Sequence, residues 1–271
     1  MKTNIHSIPS GLPSGYLGID RVTFGWQPGD LVVVAARTSV GKSAFALTMA
    51  RNMAVDHGIP VAFFSAEMTQ EQLLMRLLVL ESELSVEKLR GVKQMTQQEM
   101  AQLNDAIGRL EQAPISIAAA GSISVDEFCT KARRLVNQEH VKILIVDYLQ
   151  RMSGPADARN REDEMSAISH ILKDLAIELN VPVIVLSQLS RKAENYDGNR
   201  RPQLSDLRDS GSLVQDADIV MLLHRFDYQG VENESGFPGQ TDVIIAKNRN
   251  GAIGDVMMRF LSFEFRFVDY A

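Results

Sequence analysis

Cysteine is nearly absent: Cys129 is the only one in 271 residues. No intrachain disulfide can form, and neither Cys pairs nor His pairs occur at the spacing of a zinc site. This usage fits a reducing, cytoplasmic compartment. Long apolar runs are also missing. Residues 1–30 hold no stretch of signal-peptide length, and runs such as Leu31–Ala36 and Val181–Leu186 are too short to cross a bilayer, so no membrane contact is expected. They read as buried strands. Positive charge is in deficit, with 28 Lys and Arg against 34 Asp and Glu, a net −6. That argues against tight nonspecific binding of nucleic acid over the whole surface and leaves room for a local basic loop. What remains, 45% hydrophobic and 23% charged residues, is a soluble composition long enough for a full core.

Apolar β-branched runs alternate with amphipathic stretches. Strands are expected at Leu31–Ala36, Val61–Phe64, Ile115–Ala118, Lys142–Val146 and Val181–Ser187, then at Ile219–Leu223, Thr241–Lys247, Asp255–Phe260 and Phe263–Phe267. Helices are expected near Lys42–Val55, Thr69–Leu80, Gln97–Gln112, Val125–Gln138 and Arg161–Leu179. Strands separated by helices imply βαβ units: an α/β fold with a mostly parallel central sheet covered by helices on both faces. After Ile219 the helical pattern stops, and Asn250-Gly251 is a strong hairpin signal. Antiparallel strands should therefore extend one sheet edge. Ser153–Arg161 and Arg191–Gln203 read as exposed loops, either functional or simply mobile surface.

Residues 36–43, Ala-Arg-Thr-Ser-Val-Gly-Lys-Ser, stand between a strand and a helix. This is the phosphate-loop pattern, with Ala36 where Gly is usual. Backbone N–H groups of Arg37, Thr38, Ser39, Val40 and Gly41, with the helix N-terminus, would cradle phosphate oxygens. Lys42 would reach the β- and γ-phosphates and Ser43 would offer its hydroxyl to Mg²⁺. ATP and Mg²⁺ are the cofactors implied. Two acids follow strands nearby: Asp147, a second Mg²⁺ ligand, and Glu67, a base for the attacking water. Both lie where open α/β sheets bind ligands. Each alone would read as a turn residue. Gln188, at the end of another strand, could sense the γ-phosphate or serve as a helix cap.

With those motifs go Gly29-Asp30, Phe64-Ser-Ala-Glu67-Met68, Asp147-Tyr-Leu-Gln150, Ser187-Gln-Leu-Ser-Arg191, Ser205–Gly211, Gln215-Asp-Ala-Asp218 and Lys247-Asn-Arg-Asn-Gly251. In combination they resemble the C-terminal motor domain of the DnaB-type replicative DNA helicases, from about Gly11 to Phe267. Thr38 and Ala66 depart from the residues usual in that family. The resemblance implies a RecA-like P-loop NTPase over residues 15–271, preceded by a short arm at 1–14. It implies a homo-hexameric ring that hydrolyses ATP between subunits, moves on single-stranded DNA and unwinds duplex DNA. One subunit would supply Lys42, Ser43, Glu67 and Asp147. The next would supply Lys247 and Arg249, with Arg249 as arginine finger. These two cations stand two apart on a strand and so share a face; a solvated basic strand edge would look the same.

The resemblance also places DNA-contact loops around Ser153–Arg161 and Arg191–Gly211, with contacts at Arg191, Arg200, Arg201, Arg208, Asp209 and Gly211. Within 191–208, five cations face three acids, a local excess of +2 in an acidic chain. Few aromatics lie there, so phosphate contact is expected rather than base stacking. A helicase loader and a primase are further partners the family implies. About ten residues precede the match, fewer than the N-terminal helical domain usual in the family needs, so primase contact and ring assembly are expected to be weakened. Two other functions are compatible with a P-loop: a RecA-like recombinase, and a nucleotide-gated scaffold that binds DNA or a loader.

Overall fold

The computed structural model of the chain describes residues 10–119, 121–155, 158–190, 200–225 and 238–270. Its strands are β1 (Leu31–Ala36), β2 (Val61–Ser65), β3 (Ile115–Ala119), β4 (Ile123–Ser124), β5 (Ile143–Asp147), β6 (Met152–Ser153) and β7 (Val183–Gln188), then β8 (Ile219–Arg225), β9 (Gln240–Asn248), β10 (Gly254–Leu261) and β11 (Arg266–Asp269). Nine of them form one sheet in the order β3-β2-β5-β7-β1-β8-β9-β10-β11. The first six in that order run parallel; β9, β10 and β11 are antiparallel additions at one edge. The expected α/β architecture and its antiparallel C-terminal edge are both present. Strands β4 and β6 make a separate small pair.

Side chains alternate across each strand, so a fully buried strand feeds two cores. Val32 and Val34 of β1 join Phe45, Leu73 and Leu77 on one face. Leu31 and Val33 join Phe128, Ile168 and Leu172 on the other. The covering helices are α1 (Leu17–Thr23), α2 (Lys42–Arg51), α3 (Gln70–Ser82), α4 (Val86–Leu89), α5 (Gln97–Gln112), α6 (Val125–Glu139), α7 (Arg161–Leu179) and α8 (Gly211–Asp216). A π-helical turn, Asn52–Asp56, extends α2, and a 3-10 segment, Leu204–Ser210, leads into α8.

Four helices begin on side-chain caps, a choice visible in the sequence. Thr69 and Thr96 make capping boxes with Gln72 and Glu99; Ser124 and Asn160 accept from the backbone N–H of Glu127 and Asp163. Helix α2 (Lys42–Arg51) differs: its N-cap is Gly41, and no side chain caps it. A helix N-terminus of this kind is where an anion is favoured.

Two expectations need correction. Residues 262–265 form a turn, so the last strand starts at Arg266 rather than Phe263; Phe265 takes a φ of 51°, which a strand does not accommodate. Helices α1, α4 and α8 were not expected. For α1 the reason is distant: Asp269 accepts from the backbone N–H of Leu17 and Gly18, at 2.9 and 3.0 Å. A cap supplied 251 residues away leaves no local pattern.

Candidate nucleotide-binding site

The parallel strands end together, and their register assembles the site. Ala36 lies beside Gln188, and Ser65 beside Asp147. The loop from Ala36 to Ser43 therefore faces the ends of β7, β5 and β2. The Ala66 N–H donates to the Asp147 carbonyl at 2.7 Å, tying the two acid-bearing turns together. Ser65 Oγ accepts from the N–H of Met68 at 3.0 Å, which shapes the turn that presents exposed Glu67.

A cleft of about 500 Å³ opens there. One wall is Thr38, Ser39, Gly41, Lys42 and Ser43; the opposite wall is Glu67, Asp147, Tyr148 and Gln188. The volume suits a nucleotide-sized ligand. Gly41 has a φ of 115°, a conformation that a side chain disfavours, and a Cβ there would come within 3.2 Å of the Phe267 ring. Ser39 also lies at positive φ, 59°. Lys42 Nζ donates to the carbonyls of Ala36 and Arg37, each at 3.2 Å, so the ammonium curls over its own loop.

Asp147 carries the clearest electrostatic signature. Burial pushes its carboxyl up to about 6, and the nearby Glu67 charge adds to this; the Ser43 hydrogen bond, Lys42 and Arg76 pull the other way. Its Oδ2 is buried and has no hydrogen-bond partner among the described residues. A buried, unsatisfied carboxylate oxygen beside a serine hydroxyl fits Mg²⁺, which takes one or two protein oxygens and completes its octahedron with water and phosphate. No cluster of three or more His, Cys, Asp or Glu able to cage a metal occurs among the described residues.

Sequence reasoning missed Arg76, Phe260 and Phe265, which also line the cleft. Arg76 stacks over Phe265 at 5.3 Å and feels the charges of Asp147 and Glu67, while burial lowers its pKa. Its signal was a lone cation inside the apolar run Leu73–Val79 of α3. Phe260 and Phe265 come from the antiparallel edge, where nothing local marks them. Gln188 is held by Gln150, whose Oε1 accepts from the Gln188 N–H at 3.3 Å.

Lys247 and Arg249 are not in this cleft. The pairing of Ile219 with Asn248 sets them at the amino ends of the parallel strands. From its own phosphate loop Arg249 is removed by the length of β1, six residues or roughly 20 Å. Arg249 bonds Asp218, and Lys247 caps carbonyls at the end of α8. Burial, with Arg249 nearby, lowers the Lys247 pKa.

Of the residues expected to touch DNA, Arg191 lies outside the described residues, and Arg208 and Asp209 fall in the 3-10 segment before α8. Gly211 opens α8 and is exposed. Arg200 pairs with Asp206 at 3.4 Å, and Arg201 with Asp242 and Asp255 at 3.0 and 2.6 Å. The local excess of +2 is thus partly spent inside the chain. His224, buried beside Arg201 and Arg37, is pushed down to about 4 and stays neutral.

Among the described residues no helix is long and apolar enough to cross a membrane. The chain is 44% identical to the replicative DNA helicase DnaB of Geobacillus stearothermophilus and 43% identical to the replicative DNA helicase DnaC of Bacillus subtilis, over 96% of its own length and 57% of theirs. It thus spans little more than half of these relatives. Among solved structures it superposes on an isolated ATPase domain with a TM-score of 0.91 at 36% identity, covering 98% of this chain and 93% of that one. A DnaB-like replicative helicase, solved in work on its interactions with primase, gives 0.89 at 36% identity, covering 97% and 62%. Residues 11–269 match the DnaB-like helicase C-terminal domain, and the chain belongs to that family.

Proposed function

We propose that this chain is the motor of a replicative DNA helicase, which hydrolyses ATP between the subunits of a homo-hexameric ring to move along single-stranded DNA and part the duplex. The observation that carries the reading is the convergence of an uncapped helix N-terminus, Lys42, Ser43, Glu67 and Asp147 on one cleft. The phosphates would lie on the backbone N–H groups of residues 37–43. Lys42 would exchange the carbonyls of Ala36 and Arg37 for phosphate oxygens. Ser43 and Asp147 would hold Mg²⁺, which when bound neutralises charge on the β- and γ-oxygens. Glu67 would take a proton from water as the water oxygen attacks the γ-phosphorus, the bond to the β-phosphate oxygen breaks and ADP leaves. Gln188 is suited to orient that water or sense the γ-phosphate.

The neighbouring subunit would bring Lys247 and Arg249 to the transferring phosphoryl group. The separation of these residues from their own cleft supports action in trans. Single-stranded DNA would be held by its phosphates on Arg191, Arg200, Arg201 and Arg208, with Asp209 and Gly211 shaping that loop. A helicase loader and, for the whole protein, a primase are further proposed partners, and the cytoplasm is the proposed location.

Lys42→Ala tests this reading. It should leave the fold intact and abolish both DNA-stimulated ATP hydrolysis and strand displacement. Retained hydrolysis would reject the site. Joint-molecule formation by the unaltered chain, without strand displacement, would instead make it a recombinase.

A further inference from the structure

Asp218 precedes β8 at the amino edge of the sheet, and its side chain is only 8% exposed. Its two oxygens have separate partners. Oδ2 accepts from the Leu31 N–H at 2.8 Å and from Lys173 Nζ at 2.7 Å. Oδ1 accepts from Arg249 Nη1 at 3.0 Å. The backbone repeats the attachment, because the Arg249 N–H donates to the Asp218 carbonyl at 2.8 Å. The other terminal nitrogen of Arg249, Nη2, donates to the Gln215 carbonyl. Lys247 Nζ reaches the carbonyls of Val214, Gln215 and Ala217 at 2.7, 3.0 and 2.6 Å, gripping the same few residues.

A basic edge that serves only solubility needs no buried carboxylate behind it. Here one oxygen of Asp218 holds the sheet and α7 together, while the other is given to a guanidinium that remains 44% exposed. Two of its five N–H donors are used in these contacts. A long side chain normally surrenders rotamer freedom when it docks; one already fixed to a strand and a buried anion gives up less.

We propose that Asp218 is the positioning residue for Arg249, holding its guanidinium in the outward pose from which it reaches the nucleotide of the neighbouring subunit. This rests on the assignment of Arg249 as a trans-acting finger. Asp218 touches no substrate and acts only through Arg249. Lys173 balances the charge of the carboxylate, so that Asp218 orients the guanidinium without a net negative charge opposing the incoming phosphate.

The test is Asp218→Asn in the full chain, assembled on single-stranded DNA with ATP. Asparagine keeps an acceptor for the Leu31 N–H and removes the charge that fixes Arg249. Turnover should fall about 10–100-fold, the scale of a misplaced catalytic group, with the Kd for ATP unchanged. Mixing then separates a misplaced finger from general damage. The variant has an intact phosphate loop, and Lys42→Ala has an intact finger, so their mixture should hydrolyse faster than either alone. A mixture of Asp218→Asn with Arg249→Ala contains no well-placed finger and should show no gain. Wild-type turnover in Asp218→Asn overturns the proposal while leaving Arg249 as the finger. Normal turnover in Arg249→Ala overturns the finger itself, and the proposal with it. Asp218→Glu, which keeps the charge at a different reach, is the second variant and should give the same mixing pattern with a smaller loss. If both variants lose their thermal transition, Asp218 is a structural tie and the positioning role is withdrawn.

Discussion

Two aspartates, each buried at one end of the same parallel strands, have opposite surroundings. At the carboxyl ends, Asp147 has one oxygen with no partner among the described residues and a carboxyl pushed up to about 6. At the amino ends, both oxygens of Asp218 are bonded, to Leu31, Lys173 and Arg249. A buried polar atom without a partner costs stability, so a chain retains one where a ligand completes it. A completed network instead fixes a group that is to be used elsewhere. On the reading proposed above, the difference separates a place that receives a ligand from a place that presents a side chain, and neither burial nor charge alone distinguishes them.

The most forceful way to break the comparison is Arg249→Ala. If the amino edge presents a finger, this change should lower ATP turnover ~10³–10⁵-fold and leave the chain's own ATP affinity intact. The measurement is steady-state hydrolysis beside equilibrium binding of a nonhydrolysable nucleotide. Loss of binding in step with turnover would mean that the two edges are not functionally separate.

Glu67→Gln probes the receiving edge and should cost somewhat less, ~10²–10⁴-fold in turnover, because the amide holds water without taking its proton. ATP binding should persist. Turnover within about threefold of the unaltered chain would remove Glu67 from the role of base.

Asp147→Asn gives the smallest effect, and its sign is opposite for stability and for activity. The folded carboxyl titrates near 6 against an ordinary 3.8, so folding favours the protonated form. Its contribution to stability is complete below pH ~4 and is lost as pH rises through 6. Asparagine removes that loss. The variant free of nucleotide should therefore unfold at higher urea than the unaltered chain at pH 8, by roughly 1–3 kcal/mol, with the gap closing toward pH 4. Magnesium and ATP should reverse the order by stabilising only the chain that binds them well. A variant less stable at pH 8 would mean that the Asp147 carboxylate has a partner inside the fold rather than a vacancy for a ligand.

Much of this was legible in the sequence, because the strands that build the receiving edge are short, apolar and locally punctuated. Gln97–Gln112 and Arg161–Leu179 were readable to the residue, since their caps lie beside them. The phosphate loop and its two acids are strand-end residues, and a short unbroken apolar run that stops at polar residues marks such an end. Arg76 and Phe265 escaped because their roles depend on which element packs against which. Helix α1 escaped because its cap is Asp269. The spacing of Lys247 and Arg249 was visible, but their placement on the far side of the sheet followed only from the reversal of β9. The buried partner of Arg249, in turn, lies 31 positions earlier in the chain.

The last strand also sets an order of events during synthesis. Phe267 packs edge-on against Phe45 of α2, and its ring sits where Gly41 must stay bare. Asp269 caps α1 from the same strand. The phosphate loop leaves the ribosome more than two hundred residues before β11, so that loop is made early and buttressed last. Contacts of such separation are slow to form, because the intervening chain must first be closed into place. A nascent chain halted before Arg266 could carry every residue of the phosphate loop and still lack the wall that shapes it.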